Sequence, residues 1–200
     1  MKGAAMRYSV LFAALGLALW WSGAASAQAT PLDFTVDGSA PRVCAVQNPV
    51  LAPGALINFR GLSGNALQID QLADSRTFAT LSAAADVSFA AVCNYPHRII
   101  LESQNNGLWR GGAIGSAVPT GFADGVPYTA SLTWGPVSNS FFVDATSRRI
   151  SHLSTAVGQP TAGEIKIHLA IQAGASNLTA NAPLIAGIYS DTLRVTVEPQ

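Results

Sequence analysis

"GIYSDTLRVTVE", residues 187–198, decides the fold. Its second half alternates strictly, with Leu193, Val195 and Val197 on one face and Arg194, Thr196 and Glu198 on the other. Successive side chains of a strand point to opposite faces, so period two marks a half-buried β-strand. Only Pro199 and Gln200 follow, and a sandwich ending in this strand is expected to leave an edge or groove unfilled. The front of the chain carries the converse. "PLDFTVDGS", residues 31–39, sets Leu32, Phe34 and Val36 against Asp33, Thr35 and Asp37, ahead of the first cysteine. Chain ends usually fray and exposed strand edges invite aggregation, so an alternating strand in that place calls for a partner.

The segments between have the same period. EIKIHLAIQ (164–172) sets Ile165, Ile167, Leu169 and Ile171 inward and Glu164, Lys166 and His168 outward. YTASLTW (128–134), DVSFAAVC (86–93) and HRIILES (97–103) read as strands, as do the shorter ALINF (55–59), RTFATLS (76–82) and SFFVD (140–144). Gly, Pro, Asn and Ser clusters separate them, among them Asn94-Tyr95-Pro96, Asn105-Asn106-Gly107 and Gly158-Gln159-Pro160. Short strands punctuated by turns predict an all-β sandwich or barrel. The one departure is a helical turn expected near residues 65–72.

Residues 1–27 read as a signal peptide. Lys2 and Arg7 precede an apolar run from Val10 to Trp21, and Ala25-Ser26-Ala27 is the small-x-small pattern of a cleavage site. The run falls short of the roughly 20 residues that span a bilayer. Cleavage is expected after Ala27, with Ala29 as second choice, giving an exported protein without membrane insertion. Without Lys2 and Arg7, nine basic residues face eleven acidic ones. No basic run exists, which argues against nucleic acid and anionic membrane as partners. Only 11% of the chain is charged, a surface suited to packing against copies of itself rather than to dispersal. The length supports one domain. Cys44 and Cys93 are the two cysteines. In an oxidising compartment such a pair is usually a disulfide; free thiols or half a metal site are the alternatives, and no C-x-x-C spacing or neighbouring His favours metal.

Signals for catalysis are weak. His97 and His168 are expected at outward strand positions and His152 in a polar turn. No Gly-x-Ser-x-Gly elbow occurs. Asp70 and Asp74 lie four apart in a loop, without a second element to make a cleft. Gly111-Gly112-Ala113-Ile114-Gly115 lacks the Lys and helix start of a phosphate loop. Neither an enzyme nor a metal or cofactor site is expected. Trp109, Trp134, Phe141 and Phe142 read as core and sheet-face packing; the alternative is an exposed apolar attachment patch, for which Trp109, in a loop between two glycine-rich turns, is the better candidate.

Three stretches carry a resemblance. They are Val43-Cys44-Ala45-Val46 after an alternating strand, Val92-Cys93 before a polar turn and the 97–103 strand, and the tail Ala186-Gly187-Ile188-Tyr189-Ser190-Asp191-Thr192-Leu193-Arg194-Val195-Thr196-Val197. The tail is similar to the A-G-x-Y-x-D-x-[hydrophobic]-x-V-x-V ending of spore coat protein U domains, which include subunits of archaic chaperone–usher pili. The resemblance implies an incomplete immunoglobulin-like β-sandwich lacking its final strand. A periplasmic chaperone lends that strand during export. At the outer-membrane usher the N-terminal donor strand of another subunit, a second copy or a related pilin, replaces it, a known mode of strand addition.

The chain then divides into a signal peptide (1–27), a donor-strand extension (28–41) and a pilin-like sandwich (42–200). Pro31 bounds the donor on one side, and Gly38 and Pro41 on the other, where proline stops pairing. Leu32, Phe34 and Val36 are the expected pocket-fillers, each worth about 1.5–3 kcal/mol when buried. The expected acceptor groove comprises Ile165, Ile167, Leu169, Ile171, Leu193, Val195 and Val197. The function implied is a structural subunit of a cell-surface fibre for adhesion or biofilm formation; a tip adhesin or carbohydrate-binding module, or a coat protein built on the same domain, is the alternative.

Overall fold

The computed structural model describes residues 34–52, 54, 56–112 and 118–200. The signal segment, Leu32 and most of the Gly111–Gly115 run lie outside them. Two compact units divide the chain, Met1–Ser39 and Ala40–Gln200. In the first, residues 34–39 form no strand, and Phe34 and Val36 are 83% and 93% exposed.

The second unit is all-β, and no helix occurs among its described residues. In chain order its strands are β1 (Cys44–Val46), β2 (Val50–Leu51), β3 (Phe59–Ser63), β4 (Ala66–Ile69), β5 (Ala83–Cys93), β6 (His97–Ser103), β7 (Leu108–Arg110) and β8 (Gly125–Val126). There follow β9 (Tyr128–Trp134), β10 (Val137–Val143), β11 (Ser151–Val157), β12 (Thr161–Ile171), β13 (Tyr189–Ser190) and β14 (Leu193–Pro199). One antiparallel sheet has the order β1-β5-β12-β9-β10, with β2 also on β5. A second has the order β11-β6-β14. The small sheet β13-β7-β8 and the hairpin β3-β4 complete the architecture.

Alternation builds the core. Val87, Phe89 and Ala91 of β5, Ile165 and Ile167 of β12, and Leu132 and Trp134 of β9 bury the inner face of the first sheet, in one cluster with Ile99 and Leu101 of β6. Because the period is two, sliding any of these strands by one residue would carry its whole apolar set to solvent, which fixes the register. Gly135, at φ 53, and Pro136 make the two-residue turn joining β9 to β10; glycine with positive φ in the first position is what such a tight hairpin requires. The cysteines form a disulfide between directly opposed positions of β1 and β5, with Cα atoms 4.1 Å apart.

Several expectations need correction. Residues 65–72 hold no helical turn: Gly64-Asn65 is the two-residue turn of the β3-β4 hairpin. Residues 76–82 are not a strand. The Asp74 carboxylate accepts from the backbone N–H groups of Arg76 and Thr77 at 2.9 and 2.8 Å, closing a turn that leaves Phe78 at φ 59. His97 faces inward and is fully buried, because it shares the parity of Ile99 and Leu101. Trp109 is 8% exposed, with its Nε1 donating to Asn105 O at 2.8 Å and the Arg148 guanidinium 5.3 Å from its ring centre. It packs within β7 as expected, whereas Phe142, expected to pack, is 64% exposed.

The disulfide ties the first strand to β5, one of the two longest, across 49 residues of sequence. Replacing both Cys44 and Cys93 by alanine is expected to lower the unfolding free energy by about 2–5 kcal/mol, read from urea denaturation under oxidising conditions.

Candidate functional site at the open edge of the last strand

β14 is paired on one side only among the described residues. Two hydrogen bonds beyond its ends give the phase of its backbone: Gln104 N donates to Thr192 O, and Gln200 N donates to Pro96 O. In an antiparallel pair each residue turns both its N–H and its C=O to the same side. The even-numbered residues of β14 therefore bond to β6, and Leu193, Val195 and Val197 turn theirs to the open edge. The same three side chains face inward, half-buried against the core. The edge thus offers backbone hydrogen bonds and apolar surface in one row.

β1 faces this edge. Asn94 N donates to Val43 O and Gln47 N to Ala90 O, so the odd residues of β1 bond to β5 while Cys44 and Val46 turn their backbone away from it. Val46 stands opposite the buried Ala91, on the inward side of the sheet. It nevertheless remains 43% exposed. The Cα atoms of β1 and β14 come within 8 Å of each other. An apolar seam runs between them, with unpaired backbone on both lips.

The remaining predicted groove residues lie elsewhere in the sandwich. β12 pairs with β5 on one side and β9 on the other, so it has no open edge. Ile165, Ile167 and Ile171 are buried in the interior and Leu169 is half-buried. They supply core beneath the sheets, whereas Leu193, Val195 and Val197 line the open lip. The contribution of Cys44 and Val46 has no signal in the alternation, because three residues are too few to show a period. Of the donor residues, Phe34 and Val36 are exposed and Leu32 lies outside the described residues.

The tail sequence holds β14 in place. Gly187 packs so closely on Arg110 that a Cβ would lie 2.6 Å from its Cγ. Tyr189 Oη donates to Ile185 O at 2.8 Å. Asp191 is the hub: its Oδ2 accepts from Ser103 Oγ at 2.5 Å and Tyr128 Oη at 2.7 Å, and its Oδ1 from the N–H groups of Asn105 and Thr192 at 3.0 and 2.7 Å. One carboxylate so ties β6, β9 and the start of β14 together. Burial first, and then the Asp191 charge beside it, push the Tyr128 hydroxyl well above its ordinary value of 10. Beside this hub Arg194 pairs with Glu102 at 3.3 Å, and at the far end of β14 Arg98 pairs with Glu198 at 3.8 Å.

Little else gathers chemistry. His168 Nδ1 lies 2.7 Å from Asp86 Oδ1 on the outer face of the first sheet, and His152 is exposed on β11. Among the described residues no three His, Cys, Asp or Glu side chains converge as metal ligands. No family model matches the chain, and no match was found among curated proteins or solved structures.

Asp191→Ala leaves five donors, the Asn105 side-chain amide among them, without their acceptor and is expected to cost about 2–4 kcal/mol, read by denaturant unfolding. The raised Tyr128 pKa also fixes a sign. A neutral form favoured by the fold stabilises fully below pH 10, and that contribution is lost as pH rises toward the folded-state value. Stability is therefore expected to fall above pH 10, and Tyr128→Phe to flatten the fall by up to about 1.4 kcal/mol per pH unit, while lowering stability at neutral pH.

Proposed function

We propose that this protein is a structural subunit of an exported surface fibre, assembled by donor-strand exchange, and that its sandwich is an immunoglobulin-like fold lacking the final strand. The observation that carries the reading is the open edge of β14, where Leu193, Val195 and Val197 present unpaired backbone and half-buried side chains together. Strand order supports it. An immunoglobulin domain sets strands A-B-E-D in one sheet and C-F-G in the other. With β1, β5, β6, β9, β12 and β14 as A to F in chain order, the first sheet reads A-B-E-D and the second places F beside C. The position of G then falls on the open edge of β14.

The second support is the 31–37 segment. Phe34 and Val36 are apolar and exposed, with the alternation a strand needs to cover the seam on one side and meet water on the other. A strand added to β14 would satisfy its outward N–H and C=O groups and bury Val46. The tail resemblance to spore coat protein U domains points the same way and brings in a periplasmic chaperone and an outer-membrane usher as assembly partners. The protein is then a scaffold at the cell surface, for adhesion or biofilm formation, rather than a catalyst.

Two constructions test the reading. Deletion of residues 28–37 is expected to abolish fibres seen by electron microscopy on cells carrying the assembly machinery; fibres of normal number would end the proposal. Appending a copy of residues 29–40 after Gln200 through a flexible linker should fill the seam and raise Tm by at least about 10 °C, from several kcal/mol of added burial. An unchanged Tm would mean that no strand belongs there.

A further inference from the structure

We infer that the free edge of β10 pairs with the β10 edge of a second copy of this chain, antiparallel about a two-fold axis at Ser140, and that this contact joins neighbouring fibres side by side. The contact stands on the geometry of the first sheet; its place between fibres rests on the proposed function.

One residue pair sets the phase of the whole sheet. Ala84 and Ile57 exchange both backbone hydrogen bonds, each at 2.9 Å. The even residues of β5 therefore bond toward β1 and β2, and the odd ones toward β12. In an antiparallel sheet a residue turns its N–H and its C=O to the same neighbour. Carried through the pairs Ile167–Val87, His168–Ser131 and Phe141–Ala130, the alternation leaves Ser138, Ser140 and Phe142 with both groups on the open side of β10. Among the described residues β10 pairs only with β9. The side chains of the same three residues are exposed on the outer face. On the inner face Asn139 is laced to Thr155 of β11, which closes the gap between the sheets. A strand reaches this edge in the plane of the first sheet.

The edge lacks the devices that keep edges apart. Natural edge strands are commonly short, charged, bulged or broken by proline. Residues 137–143 hold no charge, no proline and no glycine, and their register with β9 runs without a bulge. The edge of β14, by contrast, carries Arg194, Glu198 and Pro199. An uncharged run of this length, rich in strand-forming residues, is the kind of segment that pairs with further strands when left exposed.

Self-complementarity selects a second copy. Pairing that uses the whole of β10 sets Val137 opposite Val143, so that Ser140 meets its own counterpart and Ser138 meets Phe142 on either side of the axis. Each Phe142 ring then lies over the Ser138 and Ser140 of the other copy, its direct and diagonal neighbours, where small side chains leave it room. A slip of one residue opposes open backbone groups with groups already bonded to β9. A slip of two residues brings Pro136, which has no N–H, to a bonding position, or, in the other direction, Asp144, which lies beyond the strand and is held by Thr146 and Arg149. On the outer face Glu164 and Lys166 stand two strands back, on β12, so no like charges meet across the axis.

A contact of one surface with itself is complete with two copies. It cannot lengthen a fibre. It occupies the border of the first sheet opposite β1, so the β14 seam stays free for head-to-tail assembly. A single edge pairing buries little area and is weak between isolated copies; repeated along two fibres, each further contact forms at high effective concentration.

Cysteine pairing reads the axis directly. Hydrogen-bonded antiparallel partners have Cα atoms about 5.5 Å apart, within disulfide range. Full-length protein carrying Ser140→Cys, concentrated and mildly oxidised, is expected to give a dimer on a non-reducing gel. Ser138→Cys alone and Phe142→Cys alone should give at least about fivefold less, because like positions then lie about 13 Å apart along the strands. An equimolar mixture of those two should recover about half of the Ser140→Cys yield. A dimer strongest with Ser138→Cys alone or Phe142→Cys alone overturns the axis at Ser140, and no dimer in any arm overturns the contact. In the second arm, cells display fibres of Ser140→Lys or Ser140→Glu chains. Position 140 is exposed, so fibre number is expected to hold. Like charges placed directly opposite one another should lower the fraction of fibres lying in side-by-side bundles at least about fivefold by electron microscopy, and mixing Ser140→Lys fibres with Ser140→Glu fibres should restore it. Wild-type fibres that lie singly, or bundling indifferent to both substitutions, overturn the role between fibres. A wild-type chain that makes no fibres ends the proposed function and this role with it, while the crosslink still decides the contact.

Discussion

The backbone of β14 is paired on one side, and the side chains on that strand's inward face are apolar. These two facts pull in the same direction. An unpaired N–H or C=O can be satisfied by water, but water at that edge also wets Leu193, Val195 and Val197. A charged or polar edge would be content in solvent; natural sheets commonly blunt their edges with lysine, proline or a bulge. Here the blunting is confined to the outer face, where Arg194 and Glu198 stand, and to Pro199 at the end. The inner row is left in the state that only another strand relieves, since a strand brings backbone partners and apolar cover in the same geometry.

For an edge to accept a strand it must be held straight before the strand arrives. Asp191 does this at the start of β14 by accepting from Ser103, Tyr128, Asn105 and Thr192. At the far end Gln200 bonds to Pro96 O, and its amide donates to His97 O. The opposite lip is fixed by the Cys44–Cys93 disulfide and by the Asn94 side chain, which accepts from Val43 N and donates to Pro41 O. Both lips converge on the 94–96 turn, so the seam is anchored at its closed end by covalent and hydrogen-bonded contacts. The other seam, between β10 and β11, differs: Asn139 Nδ2 donates to Thr155 Oγ1 at 2.6 Å across it. One border of the sandwich is laced by polar side chains and the other is apolar and open.

The strands that could be read from the chain are those in which burial enforces strict alternation. HRIILES and YTASLTW match β6 and β9 residue for residue, β5 encloses its predicted segment, and β12 covers all of its own but Gln172. β11 is not legible from the sequence, because Leu153, Thr155 and Val157 alternate with His152, Ser154 and Ala156, too mild a contrast to separate from a polar loop. Residues 76–82 misled because Phe78 and Leu81 look like strand residues, while the controlling group is the Asp74 carboxylate, whose hold on the following N–H groups has no hydrophobic signature. The polarity of His97 points it outward, but its parity with Ile99 and Leu101 requires the interior. The seam was half legible. β14 and its inward row followed from period two, but β12 could not be told from an edge strand by pattern alone: a strand paired on both sides and one paired on a single side alternate alike when one face is solvated. Sheet order separates them, and sheet order is a long-range property.

The proposed strand addition also limits what assembly can result. A contact in which the same surface meets itself closes into a dimer, whereas a strand given at one place and accepted at another is head-to-tail and continues until a ring closes. Closure into a small ring would require a sharp bend between residues 37 and 43, where Gly38 permits one and Pro41 opposes it. A segment of that length, with one permissive residue and one stiff one, favours a linear polymer whose successive domains can still turn relative to each other. The low charge of the sandwich then has a physical place, because neighbouring domains approach closely at every junction and net repulsion there would oppose each step of growth.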